Sequence, residues 1–142
     1  MKPVYQSIFD DTLKGDCFRA CIASIFEFSI EEMPNFWEQT QDASEFWKLN
    51  NQWLIENRQC KCLNIHLLPY DKHVVADILC IACAKSPRGN RDHAVVWQNG
   101  LIHDPHPSGA GLAEDPDTFS IFVPLDPGNE IDFSTKKKQK RR

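Results

Sequence analysis

HAVVWQNGLIHDP, residues 93–105, is two short apolar runs around an Asn-Gly pair. Asn-Gly is the preferred pair for a two-residue type I′ turn, because both turn positions need positive φ. The stretch predicts a β-hairpin that turns at Asn99 and Gly100. In that register Gln98 faces Leu101, Val95 faces Asp104, and His93 faces His106. Side chains alternate along a strand, so His93, Val95, Trp97, Ile102, Asp104 and His106 share one face. His93 and Asp104 then become diagonal neighbours, about 7 Å apart at Cα and within reach of longer side chains. Val95, Trp97 and Ile102 make that face apolar, which predicts that it packs on a helix. His103 points the other way and is the weaker catalytic candidate.

Further strands are predicted on both sides of the hairpin. CLNIHLL, residues 62–68, alternates in polarity, and ADILCIACA, residues 76–84, is nearly continuously apolar, as a central strand is. SPRGNRD and PHPSGAGLAEDPD read as loops, and TFSIFVPL, residues 118–125, reads as a last strand. The first half of the chain is helical instead. Phe18, Cys21, Ile22, Ile25 and Phe26 recur at helical spacing, which predicts a helix over residues 16–28 with Asp16 as its N-cap. SIEEMPNF gives a short helical turn, with Glu31 and Glu32 suited to its N-terminus and Pro34 limiting it. A third helix is predicted over residues 43–57, with Phe46, Trp47, Leu49, Trp53 and Leu54 as core positions. Helices followed by an antiparallel β-sheet make the fold class α+β.

The chain has 142 residues and is 42% hydrophobic, enough for one domain with a core of its own. The expected division is a single domain over residues 1–135 and a disordered basic tail over 136–142. That tail, KKKQKRR, holds six of the 16 basic residues. The remainder carries 10 basic against 20 acidic residues, a net charge of −10, within the −4 of the whole chain. An acidic body argues against a broad nucleic-acid surface and leaves only the tail for such a contact. No apolar run reaches the roughly 18 residues of a membrane span. The start, MKPVYQSIFDD, lacks the pattern of a signal peptide. The expectation is a cytoplasmic protein with no membrane partner.

Six cysteines in such a setting read as thiols rather than a disulfide framework. Cys60 and Cys62 are spaced more tightly than the usual zinc pair. Cys80 and Cys83 are three apart, so on a strand they point to opposite faces and cannot chelate one ion. Neither a metal nor a cofactor is expected.

A histidine and a carboxylate adjacent on a sheet face are the base and orienter of a catalytic triad. Cys17 supplies the nucleophile. GDCFRACIASIF, residues 15–26, puts it at the start of a helix, where the dipole favours a thiolate. Cys21 lies one turn further in and is expected to be core.

GDCFRACIASIF together with HAVVWQNGLIHDPHPSG resembles the Cys, His and Asp boxes of papain-like cysteine peptidases. The pattern is similar to the double-glycine leader peptidase domain of bacteriocin exporters. Gln6, Cys17, His93 and Asp104 with Pro105 match that pattern in order, over about residues 3–125. The chain also looks like small uncharacterised phage and prophage proteins with a similar Cys start and an HDPHPSG finish. The resemblance implies a papain-like fold, with Gln6 as oxyanion donor. It departs from the family in the 11-residue gap from Gln6 to Cys17 and in Phe18, where the family has Gly. No transporter accompanies the domain, so the leader-peptide substrate does not carry over.

The expected function is a cysteine hydrolase that cleaves a peptide or isopeptide bond of a peptide or protein substrate. Arg88, Arg91, His106 and Ser108 are candidate substrate-binding residues. Two alternatives stand beside it: an acyltransferase or transglutaminase-like enzyme with the same triad, and a non-enzymatic phage-type protein that binds and blocks a host factor.

Overall fold

The computed structural model describes residues 1–8 and 15–134. The expected basic tail, 136–142, lies outside the described residues. Three helices come first: α1 (Cys17–Phe26), α2 (Phe36–Thr40) and α3 (Ala43–Arg58). Five strands follow: β1 (Cys60–His66), β2 (Cys80–Lys85), β3 (Asp92–Trp97), β4 (Leu101–His103) and β5 (Thr118–Pro124). They form one antiparallel sheet in the order β1-β5-β2-β3-β4. The fold is α+β. No helix among the described residues is long and apolar enough to cross a membrane.

β2 is the middle strand, as its continuous apolar run predicts, and both its faces are covered. On one face Ile81, Ala94 and Val96 meet Phe18, Ile22 and Phe26 of α1 in the larger core cluster. On the other, Cys80, Ala82 and Val95 pack with Phe119 and Val75. Val75 comes from a 3-10 segment, Pro69–Val75, that the sequence reading did not foresee. Cys80 and Cys83 therefore point to opposite faces, since Cys83 packs against the larger cluster.

α1 is buried almost all round, from Ala20 to Phe26. A helix that is apolar on every side needs a covered position, and the sheet, α3 and the N-terminal segment provide it. Asp16 stands at the predicted N-cap position, its carbonyl accepting from Ala20 N at 3.0 Å. It does not cap through its side chain, which makes no cap hydrogen bond and turns instead to the N-terminal segment. α3 is capped as such helices usually are, with Asp42 Oδ1 accepting from Glu45 N at 2.9 Å. Of its predicted core positions Leu54 is buried, while Phe46, Trp47, Leu49 and Trp53 are partly buried against the core. Asn51 on the same helix covers the edge of β1: its Oδ1 accepts from Cys62 N at 2.7 Å, and its Nδ2 donates to Cys62 O at 3.3 Å. The short turn predicted within SIEEMPNF is a 3-10 turn, Ile30–Glu32. α2 after it was not expected.

The hairpin forms with Asn99 and Gly100 both at positive φ. Val96 faces His103, which is the predicted register. Nearer the turn a bulge between Val96 and Trp97 sets Trp97 opposite Leu101, so the turn is one residue longer than expected. The predicted packing face is also corrected. Ala94 and Val96 meet α1, whereas Val95 and Trp97 belong to the opposite face. Ile102 is 46% exposed. Both faces of β3 are apolar, so alternation alone could not decide which one the helices would cover.

Candidate active site

Three elements converge at one end of the sheet. The first residue of α1 is Cys17, half-buried. As the first helical residue it has a backbone N–H without an intrahelical partner. The second residue of β3 is His93, and Asp104 directly follows β4. His93 Nε2 lies 2.7 Å from Asp104 Oδ1, and both side chains are almost fully buried. Cys17 lies near enough to the His93 ring to help raise its pKa, and the two line the same cleft. Since Nε2 is committed to Asp104, Nδ1 is the nitrogen left for Cys17.

Asp104 is held rigidly. Its Oδ1 also accepts from His106 N at 2.9 Å, and its Oδ2 accepts from Gly111 N at 2.7 Å. Gly111 makes that approach with φ +72°, a conformation glycine adopts without the Cβ penalty of other residues. Burial by itself would raise the Asp104 pKa. The hydrogen bonds from His93, His106 and Gly111 and the charge on His93 outweigh it, taking the carboxyl from 3.8 down to about 2. Burial likewise would lower the His93 pKa. Its hydrogen bonds to Asp104 and Cys17, with their charges, prevail and raise it from 6.5 to about 9. Both shifts favour an imidazolium paired with a carboxylate. Burial is the main cause that pushes Cys60, Cys62 and Cys83 up to about 12 and Cys80 to about 11, and it raises Cys21 well above its ordinary value.

Gln6 joins this group from the N-terminal segment. It is buried, and its Nε2 donates to Ile8 O at 2.7 Å, which leaves a second amide N–H unspent. Its Oε1 is buried with no hydrogen-bond partner. Gln6, Cys17 and His93 all line one cleft of about 690 Å³. Arg88, Arg91 and His106 line it as well. Ser108 does not. It stands behind the rim, accepting from Arg88 Nη1 at 3.2 Å and bonding His106 Nδ1 at 2.8 Å. The ring of His106 sits 6.3 Å from that of His93, edge to face. His103 is turned away, with Nε2 2.8 Å from Val4 O, where it ties down the N-terminal segment.

The far wall of the cleft was not read from the sequence. Phe36, Trp37, Phe46 and Trp47 line it beside Asn50. Their spacing in α2 and α3 reads equally well as core packing, so only the open end of the helix layer reveals them as lining. Among the described residues no three His, Cys, Asp or Glu side chains gather as a metal centre requires.

Comparison with family models, with curated proteins and with solved structures finds no match.

Proposed function

We propose that the protein is a papain-like cysteine hydrolase acting on an amide, a peptide or isopeptide bond. The observation that carries this reading is the His93–Asp104 contact, with the carboxylate 2.7 Å from one ring nitrogen, at a cleft that Cys17 also lines. A carboxylate so placed fixes the imidazole tautomer and steadies its positive charge. An imidazolium beside a thiol favours the thiolate, which is the nucleophile.

In this mechanism the Cys17 sulfur attacks the substrate carbonyl. The negative charge moves to oxygen, where the Cys17 backbone N–H and the Gln6 amide donate to it. The C–N bond then breaks, and His93 gives its proton to the departing amine. A thioester on Cys17 remains. Water enters, His93 takes its proton, and a second tetrahedral intermediate collapses to the free acid and the thiol. A rim bearing Arg88 and Arg91 and an aromatic far wall give the cleft two unlike sides for the substrate.

The test is activity profiling with peptide and isopeptide probes, comparing the wild type with Cys17→Ala. Acylation confined to Cys17, with release by water, supports the reading. Release only in the presence of an added primary amine favours acyl transfer. A wild-type protein that no acyl probe modifies refutes both.

A further inference from the structure

We infer that Asp16 is a positioning residue, whose buried carboxylate holds the segment carrying Gln6 in place as oxyanion donor. This inference rests on the hydrolase reading above. An aspartate just before a helix ordinarily accepts from the first free N–H groups of that helix. Asp16 does not. Its side chain is fully buried, and a buried carboxylate is costly unless donors surround it. Four donors do. Asp16 Oδ2 accepts from Ser7 Oγ at 2.6 Å, Ser7 N at 3.2 Å and Arg19 Nη1 at 3.2 Å, and Oδ1 accepts from Ile8 N at 2.9 Å. Three of the four come from the two residues that follow Gln6.

The clamp closes in both directions. Asp16 N donates to Ile8 O at 3.4 Å, and the same carbonyl accepts from Gln6 Nε2 at 2.7 Å. The group that fixes the Gln6 amide is thus itself fixed by Asp16. Upstream, Gln6 N donates to Pro105 O at 3.0 Å, and Val4 N donates to Ser24 Oγ at 2.9 Å. The segment is anchored to the Asp104-Pro105 corner before Gln6 and to Asp16 after it. Asp16 directly precedes Cys17 in the chain, so one residue sets the distance between the nucleophile and the oxyanion donor. Gln6 keeps one amide N–H for the oxyanion only while Ile8 O holds the other.

The experiment separates oxyanion stabilisation from thiol reactivity. Acylation of Cys17 by p-nitrophenyl acetate passes through an oxyanion, whereas alkylation by iodoacetamide does not. Both rates are measured on the full chain for the wild type, Asp16→Asn, Gln6→Ala and the double variant. Loss of an oxyanion donor typically costs on the order of 10²–10³-fold. We expect Asp16→Asn to slow acylation by roughly 10-fold to 10²-fold, since the donor is displaced rather than removed. Alkylation should stay within about twofold. The double variant should be no slower than Gln6→Ala, as expected for two residues acting through one contact. An unchanged acylation rate in Asp16→Asn would overturn the inference. So would multiplying effects in the double variant, or acylation and alkylation falling together. If Asp16→Asn does not fold, Ser7→Ala removes a single donor and must show the same split between the two rates; equal rates with the wild type would overturn the inference. A wild type that p-nitrophenyl acetate cannot acylate at Cys17 would refute the hydrolase reading itself, and the positioning role with it.

Discussion

His93 Nε2 and Asp104 Oδ1 are 2.7 Å apart, within an almost fully buried pair, and that one contact leaves Nδ1 as the ring nitrogen available to Cys17. The carboxylate has two backbone donors of its own, from His106 and Gly111. Its position is therefore fixed without help from the imidazole. The histidine is oriented by the carboxylate, and its other nitrogen by the histidine.

Replacing Asp104 by Asn should lower turnover strongly while the fold survives. The comparable change in a serine triad lowers turnover on the order of 10⁴-fold. A thiol ionises more readily than a hydroxyl, so we expect a loss on the order of 10²–10⁴-fold here. His106→Ala should have a much smaller effect, because His106 supplies Asp104 with a backbone N–H, which that substitution keeps. Turnover numbers for the two variants, with circular dichroism to verify folding, check this. A severe His106→Ala defect beside a mild Asp104→Asn one would reverse the assignment.

The same pair gives stability a defined pH dependence. His93 has a folded pKa raised from 6.5 to about 9, so its contribution is complete below about 6.5 and is lost as pH rises through 9. Asp104 has a folded pKa lowered from 3.8 to about 2, so its contribution is complete above about 3.8 and is lost as pH falls through 2. The stability difference between wild type and Asp104→Asn should be flat from pH 4 to 6.5 and shrink on both sides. Urea unfolding at a series of pH values measures it. A difference that grew between pH 7 and 9 would contradict the assignment of an imidazolium to His93.

Thiol labelling should be selective. At pH 6 iodoacetamide should modify Cys17 before the other five cysteines, which are raised mainly by burial. His93→Ala should slow that labelling, because the thiolate loses its cationic partner. Peptide mapping by mass spectrometry identifies the site. Faster modification of Cys60 or Cys62 would count against Cys17 as the nucleophile.

Gly15 should tolerate no side chain. A Cβ there would lie 2.9 Å from Ile8 O and 3.1 Å from Gln6 Nε2. Gly15→Ala must push the Gln6 segment away, at a cost of roughly 1–3 kcal/mol in stability and a drop in turnover larger than the stability loss explains. Thermal unfolding and single-turnover acylation, measured on the same preparation, test it. A fully active Gly15→Ala would mean that the segment moves without consequence for the chemistry.

Where the signal is local, the sequence carries it. Asn99-Gly100 marks the turn and strand alternation relates His93 to Asp104, so the central contact of the site was legible from 13 consecutive residues. The start of α1 put Cys17 where a nucleophile is useful, and the spacing of Cys80 and Cys83 set them on opposite faces. The bulge at Val96 and Trp97 lies on the turn side of Val96 and His103, which keep the expected register, and His93 Nε2 still meets Asp104 Oδ1.

Tertiary structure decided the rest, because contacts distant in sequence follow no local period. β5 inserts between β1 and β2, so Cys62 pairs with Phe122 and Ala82 with Phe119. Nothing within either strand specifies a partner so far away. The helices chose the Ala94 and Val96 face of β3 over that of Val95 and Trp97, since both are apolar and only the assembled layers distinguish them. Asp16 has the sequence of a helix cap, yet its side-chain donors are Ser7, Ile8 and Arg19. That exchange arises only once the N-terminal segment is pinned against Ser24, His103 and Pro105. The sequence by itself determined the chemical groups and the contact of His93 with Asp104; the packing of the N-terminal segment and the helices on the sheet determined that Cys17 and Gln6 line the same cleft as His93, because burial and long-range hydrogen bonding act between elements and not within them.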